Sequence, residues 1–470
     1  MAGQGNKNTD RNVVRPAAPA LLNRIDVISN ENESTSVSVL QGTVRVLYWE
    51  SILGDTVSAS VIFTDAGNTM TRTKSGQGHG KRTKKVSAVE GLPITGGEQV
   101  RLKFTDNHGN IVNFGEDDNS LYINSITPIP ASSQTSGKSY ELLLTSKEFI
   151  NNEKERVRPP LGGMISDEVE NILKDVLKTE KDLDIEETKD PLQFIPNNGK
   201  PFYVINTLST KAVSAKDQEL GFSAGYLFWE TAKGYHFKSI DAILTGEKKK
   251  DIIYNESADN KVPKGYDMKA LTLDTDNRVN VQKKLQRGAY STRSFQFDLY
   301  STEALVSITD AFDPEVQSKF EYGGEKLPTP NKEFFKEGSD AEFSRTTFFF
   351  NTTGQLHIGK SDEQIEKSKE ENFKKSLVVN QAIMRYNQLF ASQITITIPG
   401  DFSLHAGDCV WMDIPEISES ENKACADDVN KVDGGLYTIA DLCHYITAKE
   451  TYTKLNLIRD SVGRTGKTFK

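Results

Sequence analysis

The first third of the chain alternates apolar and polar residues with a period of two. The apolar members of these runs are Ile25, Val27, Val37, Val39, Val44, Val46, Val57, Ala59, Val61 and Phe63. The same alternation returns in residues 100–104 and 140–144. Successive side chains of a β-strand point to opposite faces of its sheet, so this period predicts strands with one buried face. We therefore expect an antiparallel β unit that ends near residue 146.

The period changes to that of a helix after residue 146. Apolar residues recur there at i, i+3, i+4, i+7 and i+8, namely Val169, Ile172, Leu173, Val176 and Leu177. Ser166 precedes them as a suitable N-cap. A second helix is predicted for residues 200–213, whose apolar residues also share one face. This part of the chain is therefore predicted to be a helix-containing unit.

Strand patterns return in residues 226–240 and again in several runs between residues 394 and 458. The intervening residues 250–385 are less regular, with charged runs at 247–251 and 360–375 around a strand predicted at 294–300. The C-terminal part of the fold is thus expected to be a sheet, and its middle to be mixed.

Three short segments recur in the same order in the two halves of the chain. Tyr48-Trp49-Glu50-Ser51 is echoed by Phe228-Trp229-Glu230-Thr231, and Leu121-Tyr122 by Leu436-Tyr437. Between them, residues 97–104 and 407–414 share the pattern Gly, acid, x, Val, x, apolar, x, apolar. Trp49 and Gly97 are 48 residues apart in the first half, whereas Trp229 and Gly407 are 178 residues apart in the second. This predicts two related β-barrels, the second carrying an insertion of about 130 residues; chance recurrence of short strand motifs is the alternative.

The predicted fold class is α+β, mainly antiparallel β, with two related barrels and an inserted mixed α/β domain. Residues 1–21 are expected to form a disordered or partner-bound arm, 22–146 the first barrel, and 464–470 a tail. The second barrel is expected to be discontinuous, from residues 218–248 plus 386–463. Residues 147–217, completed by 249–385, are expected to form the helix-containing domain. Trp49 and Trp229 are predicted to pack inside the barrel walls.

Composition narrows the classes of function. The formal net charge of −9 argues against a protein that binds duplex DNA, because such binding depends on neutralising phosphates with Lys and Arg. The three cysteines, Cys409, Cys425 and Cys443, show no paired spacing, which argues against a disulfide framework or a thiolate zinc site. The polar N-terminus lacks the apolar core of a signal peptide, and no run has the ~18 apolar residues of a membrane span. We therefore expect folding in a reducing cytoplasm and no membrane insertion.

Motifs that would carry chemistry are incomplete. Gly137-Lys138-Ser139 and Gly466-Lys467-Thr468 end like P-loops but lack the first glycine. The six histidines show no metal-binding spacing, and His444 beside Cys443 is expected on the opposite strand face. Ser223 lies in a formal Gly-x-Ser-x-Gly motif, but a polar run precedes it and a strand follows, the reverse of a nucleophile elbow. No catalytic, cofactor-binding or metal-binding residue is predicted, and no cofactor.

Three longer runs resemble one protein family. Residues 225–241 contain Phe228-Trp229-Glu230 and Gly234-Tyr235-His236-Phe237-Lys238-Ser239-Ile240-Asp241. Residues 402–415 contain Leu404-His405-Ala406-Gly407-Asp408-Cys409-Val410 followed by Ile414-Pro415, and the chain approaches its end with residues 452–461. These runs resemble the baseplate hub proteins of contractile-tailed, T-even-like bacteriophages.

The resemblance implies a structural virion protein and not an enzyme. It implies a homotrimer whose two tube-type barrels per chain form a pseudo-sixfold ring between the sixfold tail tube and the threefold central spike. The implied partners are the tube, spike, tape-measure and other baseplate proteins. The location is the phage tail baseplate, assembled in the host cytoplasm. DNA would pass through the channel without specific binding. The alternatives are another tail-tube-like baseplate component and a tail-associated hydrolase.

The stretch from residue 67 to residue 91 is Gly-rich and basic, with Arg72, Lys74, Lys81, Arg82, Lys84 and Lys85. It is either a solvated hairpin loop or a loop that touches an acidic partner. In a trimer of net charge −27, three times −9, we expect an acidic channel that repels DNA. The basic loop is therefore predicted to lie outside that channel.

Overall fold

The computed structural model describes residues 19–31, 35–76, 79–130, 137–189, 191–215, 224–254, 262–275, 281–289, 291–297, 304–310, 345–350, 375–390, 392–414 and 434–460. The predicted tail, nearly all of the predicted N-terminal arm, Ser223, Cys425 and Gly466-Lys467-Thr468 lie outside these residues.

The described residues of the N-terminal part form ten strands, one short α-helix and two 3-10 turns (Leu40–Gly42 and Asp117–Asn119). The strands are β1 (Leu21–Ile28), β2 (Ser36–Ser38), β3 (Thr43–Ser51), β4 (Ser58–Asp65), β5 (Met70–Gly76), β6 (His79–Val86), β7 (Gln99–Thr105), β8 (Ile111–Phe114), β9 (Leu121–Ile129) and β10 (Lys138–Ser146), with helix α1 (Ala88–Gly91) after β6. The apolar positions of the period-two pattern form its core, as predicted. Val44 is the exception and is 53% exposed, because the β3–β4 register shifts between Thr43 and Arg45 and leaves Val44 as the extra residue.

The middle part contains the predicted helices and a small sheet. Its elements are α2 (Lys147–Lys154), α3 (Ile165–Asn171) continued by a π-helical turn (Ile172–Val176), β11 (Leu183–Ile185), α4 (Pro201–Ser209), β12 (Tyr226–Thr231), β13 (Gly234–Ser239) and α5 (Ile240–Leu244). The predicted apolar face of α3 packs against α4 and the β12–β13 hairpin in one core. Ser166 is not the N-cap of α3, since Met164 occupies that position. The Glu168 carboxylate instead accepts bonds from the N–H groups of Gly162 and Gly163.

The C-terminal part returns to strands. Its elements are β14 (Lys248–Tyr254), β15 (Met268–Ala270), β16 (Thr272–Thr275), α6 (Val281–Arg287), β17 (Ser291–Phe297), β18 (Ala304–Asp310), β19 (Arg345–Phe350), α7 (Lys375–Gln388), β20 (Ser392–Pro399), β21 (Cys409–Asp413), β22 (Gly435–Thr447) and β23 (Thr451–Arg459). The strand predicted at 294–300 corresponds to β17. A second sheet core lies between β14, β20, β21, β22 and β23.

The described strands do not form two closed barrels. The fold is α+β and mainly β, as predicted, but 15 strands join in one mixed sheet with the central order β15-β14-β21-β22-β3-β4-β10-β9-β7-β1-β2. The junction is β22, which has 13 residues. Its first residues pair with β21 and its last residues with β3, so the two halves share one sheet. Smaller sheets are β11-β13-β12, β18-β17-β19 and β5-β6.

The same five-strand arrangement occurs in both halves of this sheet. In the first half the strands lie in the order β3-β4-β10-β9-β7, and in the second half in the order β16-β20-β23-β22-β21. If the five strands of each series are numbered in chain order, both series have the same spatial order: first, second, fifth, fourth, third. Every pairing within both series is antiparallel. We call each series a five-strand unit.

Backbone hydrogen bonds match between the two five-strand units. The N–H of Gly97 donates to Ile123 O at 2.7 Å, and that of Gly407 donates to Ile439 O at 2.8 Å. The reverse bonds run from Ile123 N to Glu98 O at 3.0 Å and from Ile439 N to Asp408 O at 2.9 Å. Both glycines have positive φ, +82° and +91°, which favours glycine. The second predicted echo is therefore structurally equivalent, and the third is offset by one residue, because Leu121 and Tyr122 correspond to Tyr437 and Thr438.

Two strand assignments from the sequence differ from the structure. Residues 218–248 were expected in the second barrel, but β12 pairs with β13, and β13 pairs on its other side with β11. Residues 249–385 were expected to complete the helix-containing domain, but β14, β15 and β16 join the large sheet. Trp49 and Trp229 therefore do not occupy equivalent strands, so the first echo is not part of the repeat.

Candidate functional site

The motifs considered from sequence do not form a catalytic centre in the described residues. Lys138 and Ser139 lie at the start of strand β10, whereas the Lys-Ser pair of a P-loop lies at the start of a helix. Within the described ranges, no three His, Cys, Asp or Glu residues are placed to hold a metal ion. His444 is buried while Cys443 is half-buried, as expected for opposite faces of β22. Burial raises the pKa of the Cys409 and Cys443 thiols to about 11, so neither is a thiolate near neutral pH.

The structure does assemble one constellation that the sequence analysis missed. Thr231 Oγ1 lies 2.9 Å from His236 Nε2, and His236 Nδ1 lies 3.2 Å from Asp184 Oδ2. These are the distances of a hydroxyl, imidazole and carboxylate triad. The three residues come from β12, β13 and β11, and they border a cleft of about 290 Å³. Pairing of β11 with β13 brings them together, and no sequence spacing indicates it.

The surroundings of this triad favour a structural role. Thr231 is 1% exposed, so little of its hydroxyl is open to the cleft that it borders. That hydroxyl also accepts a bond from Lys233 N, which closes the β12–β13 turn. Asp184 pairs with Lys238 at 2.6 Å as well as with His236, and these hydrogen bonds lower the pKa of its carboxyl. The network ties β11 to the hairpin, and we assign it no reaction.

The residues with the most unusual environment are two buried carboxylates, Glu50 on β3 and Glu230 on β12. The Glu50 carboxylate accepts bonds from the Tyr48 hydroxyl at 2.7 Å, Ala232 N at 2.9 Å, Ala406 N at 2.9 Å and His405 Nδ1 at 3.0 Å. Burial opposes its ionisation, but His405 and these donors outweigh burial and lower the pKa of Glu50 to about 2. Glu50 is therefore a buried anion held by four donors from three segments: its own strand β3, the β12–β13 turn and the loop before β21.

Glu230 belongs to a second buried ionic group. Lys181 Nζ lies 2.6 Å from Glu230 and 2.7 Å from Glu148, and all three side chains are at most 3% exposed. Burial lowers the pKa of Lys181, but the two carboxylates outweigh burial and raise it. Burial and the charge of Glu148 raise the pKa of Glu230, against the effect of Lys181. The ammonium thus ties α2 to β12 through two charged hydrogen bonds.

The two carboxylates also bond across the junction between the large sheet and the hairpin. Glu50, on the sheet, accepts from Ala232 N in the hairpin turn. Glu230, in the hairpin, accepts at 3.0 Å from Val57 N next to β4. Each element therefore supplies a carboxylate to a backbone N–H of the other. We call this pair of contacts, with His405 and Lys181, the carboxylate junction.

Trp49 and Trp229, the two tryptophans predicted to be buried, have different environments. Trp229 is 2% exposed, and its indole N–H donates to Ala406 O at 3.1 Å. Its ring also leaves no room for a side chain at Gly407, where a Cβ would lie 2.7 Å from the indole. Trp49 is only half-buried, because Val46, Tyr48 and Glu50 take the buried face of β3. The prediction of burial is therefore correct for Trp229, although Trp229 lies on the small sheet and not in a barrel wall, and wrong for Trp49.

His444 lies beside the junction in a fully buried position. Its ring stacks on Tyr48 at 5.9 Å and meets Phe402 edge-on at 4.6 Å, and Nδ1 lies 2.9 Å from Thr453 Oγ1. Burial lowers the pKa of His444 to about 4, with Glu50 acting against that effect. His444 is therefore neutral at physiological pH.

The carboxylate junction was not predicted, although Glu50 and Glu230 both lie in the segments of the first echo. A glutamate in an alternating strand is normally assigned to the solvent face, since unpaired carboxylates are rarely buried. The available signal was the position of Glu50 on the same face as Val46 and Tyr48.

Among the helices that the structure describes, none has the length and apolar character of a membrane span. No protein-family model matches the sequence, and no curated protein sequence matches it. Solved structures do match. The tail protein of Neisseria meningitidis MC58 is similar over 94% of this chain and 97% of its own, with a TM-score of 0.49 and 9% identity. The 43 kDa tail protein of prophage MuSo2 from Shewanella oneidensis is similar over 93% and 99%, with a TM-score of 0.48 and 9% identity.

An E. coli protein described as a type VI secretion system component, with structural similarity to the T4 tail proteins gp27 and gp5, is also similar. The match covers 91% of this chain and 77% of that one, with a TM-score of 0.40 and 9% identity. Over nearly its whole length, the structure thus resembles phage tail proteins and a type VI secretion component.

Proposed function

We propose that this chain is the hub of a contractile phage tail baseplate, a homotrimeric ring that joins a sixfold tail tube to a threefold central spike. The observation that carries the proposal is the five-strand unit, which occurs twice in one chain with matching strand order and matching glycine hydrogen bonds. Three such chains present six similar units in a closed ring while keeping threefold symmetry. The hub-like sequence runs at 225–241 and 402–415 support the same function.

The chain would act through its surfaces and carry no catalytic residue. Its two tube-type domains would be residues 22–146 and a second one built around β16 and β20–β23. The helix-containing domain would include the β12–β13 hairpin. The carboxylate junction would fix the angle between that domain and the large sheet, because its bonds cross between them. The partners would be the tube, spike, tape-measure and other baseplate proteins, in a virion assembled in the host cytoplasm.

The ring would enclose part of the channel for the tape-measure protein and DNA. A trimer carries a formal charge of −27, three times −9, so an acidic channel wall would repel DNA and keep it mobile. DNA would therefore pass without specific binding.

The mass of the purified particle tests this function. The proposal expects about 157 kDa, three times the 52.3 kDa chain, by native mass spectrometry or light scattering. The mass should stay constant on dilution through the micromolar range, as expected of a large obligate interface. A particle of six copies would instead indicate a tube-like ring in which each copy contributes one of its five-strand units to the sixfold ring. A monomer at high concentration would contradict a ring subunit that assembles by itself.

A further inference from the structure

The β5–β6 hairpin is a separate two-stranded ribbon that is fixed at its base. Within the described residues it pairs with no other strand. Asp65, which is 4% exposed, holds both ends of the ribbon, since its carboxylate accepts bonds from Gly67 N, Thr69 Oγ1 and Ala88 N. Met70, at the start of β5, packs against the first sheet core. The ribbon therefore leaves the sheet in a defined direction.

The register of the ribbon places four cationic positions on one face. Arg72 pairs with Lys84 and Lys74 pairs with Arg82. Residues paired across an antiparallel ribbon, and residues two apart along a strand, belong to the same face. One face therefore has the four cationic positions 72, 74, 82 and 84, which we call the cationic face. The opposite face has Thr71, Thr73, Thr83 and Lys85.

This arrangement is costly for an isolated ribbon. Like charges placed directly across a strand pair are destabilising, and a two-stranded ribbon is marginal by itself. The opposite face of the same ribbon instead has threonine at three of its four positions, 71, 73 and 83. Lys84 is exposed, so the cationic face has solvent access at its described end. An anionic partner would offset the repulsion within these two opposed pairs.

The anion is better matched by protein carboxylates than by nucleic acid. Binding to a duplex would bring phosphates close to a chain whose remaining charge is strongly negative, and the long-range repulsion opposes that approach. A protein surface with a local group of Asp and Glu residues contacts the ribbon alone. We propose that the cationic face of the β5–β6 ribbon is a docking surface for an acidic patch on a neighbouring protein. This proposal does not depend on the hub function or on the trimer.

The test measures binding of a fluorescein-labelled deca-glutamate peptide to the full chain by anisotropy, at about 50 mM and about 200 mM NaCl. The face variant replaces Arg72, Lys74, Arg82 and Lys84 by Gln. The charge-matched control replaces four exposed lysines elsewhere, Lys147, Lys154, Lys178 and Lys449, by Gln. A third variant, Thr71→Arg, Arg72→Thr, Thr73→Lys and Lys74→Thr, keeps the composition but moves two charges to the opposite face.

We expect the face variant to weaken binding at low salt by at least about tenfold, which matches four exposed ion pairs of modest strength. The control should bind like the unmodified chain, and the third variant should fall between them. Salt should weaken the binding of the unmodified chain more than that of the face variant. Equal affinity of the face variant and the control would overturn the proposal, as would absence of binding at low salt. Tighter binding of a 12-base-pair DNA duplex with the same dependence on the cationic face would replace the acidic protein by nucleic acid.

Discussion

Replacing Trp229 by alanine is expected to lower the free energy of unfolding by about 3–5 kcal/mol, the usual cost of removing a fully buried large aromatic side chain. The ring fills the space between the β12–β13 hairpin and the loop before β21, where it packs with Ile52, Ala406 and Ile458. Its loss also leaves the carbonyl of Ala406 without the indole donor. The same replacement at Trp49, which is only half-buried, should cost about 1–2 kcal/mol.

Urea denaturation followed by circular dichroism measures both variants under one condition. The two substitutions remove the same side chain, so their difference reports burial and not chemistry. A Trp229→Ala variant as stable as the Trp49→Ala variant would contradict the packing of the hairpin against the large sheet.

Replacing Glu50 by alanine is expected to lower the free energy of unfolding by about 3–5 kcal/mol, because four donors from three segments lose their acceptor in a buried place. Glu50→Gln keeps the size of the side chain but removes the charge opposite His405, so it should cost less than the alanine variant. Glu31→Ala, at an exposed position, is the matched control and should leave stability within about 0.5 kcal/mol. A neutral effect of Glu50→Ala would contradict the carboxylate junction.

The pH dependence separates Glu50 from its neighbour His444. The folded pKa of Glu50, about 2, lies below the ordinary value near 4.3, so its contribution is present above pH 4.3 and is lost as pH falls toward 2. That contribution is about 3 kcal/mol. The folded pKa of His444, about 4, lies below 6.5, so its protonation destabilises the fold as pH falls from 6.5 to 4.

We therefore expect the stability difference between the unmodified chain and Glu50→Gln to shrink as pH falls from 4.3 to 2. Urea midpoints of both proteins across this range measure it. A difference that stays constant between pH 4.3 and 2 would contradict this, because it would show that Glu50 has the same pKa in the folded chain as in the unfolded chain.

The sequence predicted the strands and helices well because their signals are local. Period-two alternation found β1, β3, β4 and β7, and the spacing of Val169 to Leu177 found α3 and its π-helical extension. Gly97 and Gly407 marked the repeat because each must adopt positive φ at the same hydrogen-bonded position. Such positions carry a fixed residue type and are visible in a single sequence.

The sequence did not predict which strands pair over long distances. The β12–β13 hairpin pairs with β11, a strand of three residues with no pattern of its own, so the hairpin was assigned to the wrong sheet. The resemblance of Trp49-Glu50 to Trp229-Glu230 supported that assignment. In the structure Glu50 accepts a bond from Ala232 N in the hairpin turn, and Glu230 accepts one from Val57 N next to β4, so the two glutamates have similar buried roles in different elements.

Closed barrels were expected from the repeated segments and from the resemblance to the hub family. The length of β22 changes this result, since one strand pairs with both halves. The alternating residues of β22 predict a strand of 13 residues, but they do not indicate that its two ends pair with different strands.

An end-on reconstruction of the purified particle by electron cryomicroscopy tests the central claim most directly. The account predicts three chains around an open channel, with six five-strand units at nearly equal radius that alternate between the N-terminal and C-terminal unit of each chain. Such a map would show approximate sixfold symmetry near the units and threefold symmetry elsewhere. A ring of any other number of chains, or a trimer in which only one unit of each chain lines the channel, would contradict it.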